Sequence, residues 1–364
     1  MTRPAGPPAM RDGVGPGARF WAVLAIAAIG IAVIAGYELL ILGWHPAREE
    51  APLFSPYHWA RIGLTLIMSV ALVRALTGSA SAAGRPMTSG EIGFAGAVLL
   101  SALAATGVMV ADPAAFAAFA REDFLLEWGS ALLLFVAAGL FLADLWRRWR
   151  APGHRSAAAL LGLALVAGFA GLFFVMGMEE ISWMQRVFGF ATPGALAEAN
   201  WQGEFNLHNF QTGLTELALY TGAGVLLVFL PLLVEFAPGW RPFAWSRDFL
   251  PDRTVAAVGA PIAIFTYGQW NLVPLQLVSM VTVIAMVVWA RDARRREAWG
   301  EAMLFAALGV FVALGQIVFL IAGDRMIEIF DATEWKEFYI ALGLAWFAWR
   351  ARGRSRRLGS TCPR

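Results

Sequence analysis

Residues 157–178 read AAALLGLALVAGFAGLFFVMGM, twenty-two positions without one charged side chain. A helix of that length is about 33 Å long at ~1.5 Å per residue, enough to cross the roughly 30 Å hydrocarbon layer of a bilayer. Lipid offers the backbone no hydrogen-bond partners, so every N–H and C=O must be satisfied within the protein, by helices or by a closed barrel. Runs of roughly 17 to 25 apolar residues select helices over the shorter strands of a barrel.

Comparable runs flank this one, at 20–42, 58–76, 91–111, 124–145, 210–234, 254–270, 273–290, 300–321 and 336–350. They predict an all-α polytopic integral membrane protein with about ten transmembrane helices. The composition agrees, since 59% of residues are apolar and 15% charged, which excludes an ordinary soluble domain. The second run carries Arg61, and the short seventh and eighth are joined by YGQWNLVP (267–274); these three are the weakest spans, and eight crossings is the alternative count. Residues 1–19 read as a disordered cytoplasmic tail, 20–350 as the transmembrane domain with a structured outer-face loop at 179–209, and 351–364 as a basic cytoplasmic tail. The run from Phe20 to Leu42 is too long for the core of a cleaved signal and is read as the first span.

Charge supplies an independent ruler, because the cytoplasmic flanks of membrane helices accumulate Lys and Arg. With both termini on the cytoplasmic side, 22 of the 28 basic residues fall inside, while 17 of the 26 acids fall on the outer side. The arginine runs at 147–150 and 294–296 read as topology markers or contacts with anionic lipid, and no nucleic-acid or nucleotide-binding motif is present. The only cysteine, Cys362, excludes an intramolecular disulfide and a thiolate-rich metal site. An outer face rich in carboxylates concentrates cations and suits a metal or a cationic substrate, or merely reflects outer loops that exclude basic residues.

The segment after 157–178 is the one that does not read as a spacer. EEISWMQRVFGF (179–190) and NWQGEFNLHN (200–209) carry aromatics at a density that wants an interface or a packed site. Thr192 before Pro193 has the form of a helix N-cap for a short ALAEAN helix. If the preceding helix continues through Trp183, then Glu179, Ser182, Trp183 and Arg186 share one face and Glu179 pairs with Arg186. Glu180 then sits on a greasier face, suited to proton transfer. Glu204 and His208 are four apart, a spacing that places carboxylate and imidazole together on a helical turn as metal ligands or an acid/base pair; an anchoring cluster of Asn206, His208, Asn209 and Gln211 explains them equally. Two other outer connections hold acids: REDFLLEW with Glu122, Asp123 and Glu127, and GDRMIEIFDATEWKEF with Asp324, Glu328 and Asp331 at helical spacing, near Arg325 and Lys336.

The EEISWMQRVFGF and NWQGEFNLHN blocks resemble a family of bacterial multi-pass membrane proteins of uncharacterised activity, which implies the bacterial cytoplasmic membrane and no particular chemistry. Glu179, Glu180 and Arg186 followed by Phe205 and His208 are also reminiscent of the CAAX-type intramembrane glutamic proteases. The chain departs from that pattern in the spacing before Arg186, in the two residues between Phe205 and His208, and in lacking a later histidine.

Three functions follow as expectations. The first is a membrane-embedded enzyme acting at the outer face on a lipid or lipid-linked substrate, with Glu179, Glu180, Glu204 and His208 catalytic and Arg186, Trp183, Asn206 and Asn209 binding substrate. A divalent metal is the cofactor that chemistry would admit, with Glu204, His208, Glu127 and Glu328 as its candidate ligands. The second is a proton- or cation-coupled transporter using Glu127, Glu216 and Glu328. The third is a non-catalytic membrane scaffold. Membrane lipid is the partner common to all three.

Overall fold

In the computed structural model, residues 17–45, 53–78, 84–121, 124–151, 156–194, 197, 203–206, 212–237, 249–266, 272–329 and 332–360 are described, apart from the side chains of 322–329 and 355–360. Twelve helices are found among them: α1 (Ala18–Leu40), α2 (Pro56–Thr77), α3 (Ser89–Ala111), α4 (Pro113–Phe119), α5 (Leu125–Trp149), α6 (Ala157–Glu180), α7 (Gln185–Phe188), α8 (Thr212–Phe236), α9 (Arg253–Ile264), α10 (Val273–Arg295), α11 (Trp299–Ile329) and α12 (Thr333–Ser360). Eight helical segments, α1, α2, α3, α5, α6, α8, α10 and residues 299–321 of α11, are long and apolar enough to cross a membrane. The chain is therefore a multi-pass helical membrane protein whose apolar outer surfaces, such as Leu172 and Phe174 of α6, contact lipid.

The expected ten spans are corrected in two places. The seventh, 254–270, is the twelve-residue α9, about 18 Å long and too short to cross alone. Its last turn is 3-10 helix, and Gln316 of α11 donates its side-chain amide to the Ala263 carbonyl there. The tenth, 336–350, falls within the 28-residue α12, which is not among the eight long apolar segments. Helix α12 continues to Ser360, and Ala351, assigned to the tail by sequence, is 1% exposed. Charges at both ends of α12 lower its hydropathy, yet its middle is largely buried, with Phe347 and Ala348 fully covered.

Packing explains that position. Helix α12 lies against α5, which also packs on α6, and Phe141, Phe169, Phe173, Phe249 and Phe347 form one aromatic cluster among them. Small residues allow close approach, as expected where lipid is no worse a solvent than a neighbouring helix. A Cβ on Gly177 of α6 would lie 2.8 Å from the Phe135 ring of α5, and one on Gly259 or Gly343 would lie 2.7 Å from Leu227, the buried side chain that joins α8, α9 and α12. The charge that weakened the second span is also accounted for: Arg61 of α2 pairs with Glu38 of α1, which accepts in addition from Tyr57 at 3.0 Å.

One end of the bundle is closed by ions. Arg253, at the start of α9, is 1% exposed and meets Glu235 of α8 at 2.8 Å, Glu301 of α11 at 2.6 Å and Asp292 of α10 at 3.5 Å. Arg296 reaches Asp292 and Glu301, and the Trp289 indole donates to Glu235 at 2.9 Å. Beside them, Arg85 and Arg350 hold Glu91, while Arg350 and Arg354 hold Asp252. Five arginines thus face five carboxylates, a neutral network tying α3, α8, α9, α10, α11 and α12 together. Arginines read as lipid contacts in the sequence are partly drawn into such pairs: Arg296 turns inward, and Arg147 and Arg148 both hold the buried Asp144.

Candidate functional site

Far along the same helices from the arginine network, α5, α6, α8 and α12 surround a cavity of about 190 Å³. Glu127 of α5, Glu179 and Glu180 of α6, Glu204, Glu216 of α8, and Glu334 and Glu337 of α12 line it, with Asn206, Thr215 and the apolar Val175, Met176 and Leu219. Seven carboxylates from five separate stretches of chain therefore share one space.

Local structure positions the first group. Helix α6 ends at Glu180, and Ser182, Trp183 and Met184 follow with φ of 45°, 55° and 62°. Three successive non-glycine residues in the left-handed region cost roughly 1–2 kcal/mol each, so other bonds must hold them. They do: the Trp183 indole donates to Glu179 at 2.6 Å, the Met184 amide to the Ile181 carbonyl at 2.9 Å, and the Ser182 hydroxyl to Glu204 at 2.5 Å. The chain then makes the single turn of α7 and reverses again at Gly189, φ 66°.

This turn corrects the expectation that α6 continues through Trp183. Glu179 is bound by Trp183, whereas Arg186, expected to pair with Glu179, pairs with Glu204. Glu204 is a hub, accepting from Ser182, Arg186 and, at 3.1 Å, Asn206. Gln185 is a second hub: its amide donates to Thr192 at 2.7 Å, and its carbonyl oxygen accepts from the Phe205 amide at 2.7 Å. Thr192 spends its hydroxyl on the Gly203 carbonyl at 2.6 Å, and helical backbone after Pro193 is present at Gly194 and Ala197. Glu204 to Asn206 are not helical.

His208 and Asn209 lie outside the described residues, as do Gln211, Glu122, Asp123 and Asp331. Asp324 and Glu328 are on the helical backbone of α11, with side chains outside the description. Of the expected metal ligands, Glu204 and Glu127 line the cavity together, and among the described residues no three His, Cys, Asp or Glu side chains are grouped as a metal site. His58, also at a helix end, is occupied locally: it lies 2.7 Å from Ser55 and stacks on Trp44.

Two features here, the Glu334–Glu337 pair and Tyr220, were not singled out in the sequence, where Lys336 was read only as a partner for the acids at 324–331. Glu334 and Glu337 open α12 three residues apart, and Tyr220, 1% exposed, donates its hydroxyl to Glu337 at 2.7 Å. Over the Tyr220 ring, 3.7 Å from its centre, lies the ammonium of Lys336, the chain's single lysine, also 1% exposed. Glu180 stands apart from the others, for among the described residues it has no hydrogen bond or ion pair, and the charges acting on it are those of Glu337 and Glu127.

Carboxylates gathered in this way do not all carry charge unless protons or cations compensate them. The arrangement can thus hold protons, a cation, or one in exchange for the other. Comparison of the chain with family models, with curated proteins and with solved structures gives no match, and no family is identified.

Proposed function

We propose that the carboxylate cavity is the binding site of a cation- or proton-coupled membrane transporter. In this reading the protein lies in the bacterial cytoplasmic membrane with both termini inside, the arginine network toward the cytoplasm and the cavity toward the outer face. Arginines gathered at one end of the bundle, away from the carboxylate-lined cavity, support that orientation, because the cytoplasmic bias is one of Lys and Arg placement and not of net charge. The observation that carries the reading is Glu180, a carboxylate without a hydrogen bond or ion pair among the described residues, lining one cavity with Glu127 and Glu337. Such a group releases its proton when a cation arrives to take the proton's place. Adding sodium, potassium or magnesium salts to the purified protein in weak buffer should then release protons, and Glu180→Gln should abolish that release. Proton release of equal size in the variant would reject the assignment.

An enzyme acting on lipid or lipid-linked substrates is the second reading, favoured by the left-handed turn at Ser182–Met184. Backbone strain of this kind concentrates at functional sites, and here it places Glu179 and Glu204 at the same cavity mouth. Glu180 would act as general base beside Glu204, with His208, Asn206 and Asn209 supplied by the same loop and Arg186 and Trp183 shaping it. Turnover of a lipid-linked substrate that is lost in Glu180→Gln and in His208→Ala, without cation-driven proton release, would favour this reading over transport.

A further inference from the structure

The cavity's neighbour Lys336 is expensive to place. A buried ammonium loses its hydration, and this one sits in the first turns of α12, where the helix dipole already presents positive charge. Its stem gives it no escape to solvent, since the side chain is 1% exposed. The face of the Tyr220 ring lies 3.7 Å from it, and that phenol donates to Glu337, which lines the cavity together with Glu216 and Glu334. One phenol therefore bridges a fixed positive charge, that of Lys336, and Glu337 among the lining carboxylates.

We propose that Lys336 is the built-in counter-charge of the cavity and sets the valence of the cation it accepts. This rests on the cation-binding reading above. A fixed charge shifts the potential at the ligand by one amount, and the resulting free energy scales with the ligand's own charge. Removing that charge by Lys336→Met, which keeps the length and apolar stem, tightens a monovalent cation by some factor and a divalent cation by the square of it. A gain of about threefold for potassium corresponds to about ninefold for magnesium, since both follow from one change in potential. A lysine that merely fills space predicts no dependence on valence.

The test measures binding of potassium and of magnesium to the full-length protein in detergent, by the cation-dependent rise in melting temperature and by calorimetric titration. Four chains are compared: wild type, Lys336→Met, Lys336→Arg and Tyr220→Phe. The expected result is a magnesium-over-potassium preference that rises in Lys336→Met and returns in Lys336→Arg. In Tyr220→Phe, which keeps the ring and loses only the hydroxyl, the preference stays near wild type. Equal changes for both ions, weakening of both, or failure of Lys336→Arg to restore the ratio overturns the proposal. If Lys336→Met does not fold, the Lys336→Arg and Tyr220→Phe pair decides: a valence shift in Tyr220→Phe alone, or in Lys336→Arg, overturns it. Wild-type binding that Glu180→Gln abolishes, with no valence shift at position 336, removes this inference and leaves the cavity reading standing. A wild-type chain that binds neither ion removes both.

Discussion

Arg253 donates to Glu301 at 2.6 Å across α9 and α11 with both side chains 1% exposed, so neither charge has water to fall back on. The pair is held inside a wider set in which Glu235, Asp292 and Arg296 supply the remaining bonds. Burying charges costs several kcal/mol per ion, and only a complete set of partners offsets that cost.

Glu301→Ala should therefore destabilise the protein strongly, by about 3–5 kcal/mol, the cost of stranding a buried charge. It also removes the acceptor of the Met87 amide, bonded to Glu301 at 2.9 Å, and so loosens the entry to α3. Arg354→Ala, at a side chain 25% exposed and paired at 3.3 Å, should cost under about 1 kcal/mol. Thermal unfolding in detergent compares the two, and equal losses would refute the buried network as the dominant fastening of this end.

Asp252 lends the same end a pH dependence. Burial opposes its ionisation, but Arg350 at 2.6 Å and Arg354 outweigh that and hold its carboxyl below the usual range, helped by the Thr254 hydroxyl. A group depressed in the folded state contributes stability above its unfolded pKa, near 3.9 for aspartate, and loses it as pH falls toward the folded value. Asp252→Asn should lower the melting temperature at pH 7, and the gap between variant and wild type should close as the pH drops below about 4. A gap that is constant across that window would show that the carboxylate's charge is not what α12 binds here.

Most of the membrane architecture was legible because lipid imposes a length and a composition on each helix independent of its neighbours. Helix α6 is the plain case, and Glu127, Glu179, Glu180, Glu204 and Glu216 drew attention because carboxylates at helix ends in a greasy chain are conspicuous. What escaped reading depends on contacts distant in sequence. Nothing local marks Arg61 as the partner of Glu38, or Lys336 as the partner of Tyr220. Helix α9 read as a full span because its apolar run continues past the point where the helix ends at Ile264. The turn after α6 was unreadable for another reason: Ser182, Trp183 and Met184 are poor left-handed residues, and of the bonds that hold them the one to Glu204 comes from 22 residues away.

That turn yields a third expectation. Met184 has φ 62° and contributes its amide, not its side chain, to the bonds that hold the reversal, so Met184→Gly should relieve about 1 kcal/mol of strain while leaving those bonds intact. Glu204→Gln should act oppositely, weakening the Arg186 pair and the charge-assisted bond from Ser182. Hydrogen exchange across 182–206 reads both, with slower exchange in the first variant and faster in the second. The exchange of α5 and α12 should stay unchanged, because the loop does not carry their packing. Faster exchange in Met184→Gly would mean that the thioether, rather than the backbone, holds the turn.

Helix α12 makes the orientation of the whole bundle testable with the protein's own chemistry. Its first turn holds Glu334 and Glu337 at the cavity, and Arg350 and Arg354 lie in the arginine network at the opposite end. Cys362, the only cysteine in the chain, is two residues beyond Ser360 in sequence and so reports the side on which α12 ends. Positive charge favours the cytoplasm, so a membrane-impermeant maleimide should leave Cys362 unmodified in intact spheroplasts and modify it after lysis. A cysteine introduced at Val187, 57% exposed beside the cavity loop, should show the reverse pattern in a Cys362→Ser background. Labelling of Cys362 in intact cells would invert the molecule and place the carboxylate cavity on the cytoplasmic face, where a cation would be met from within.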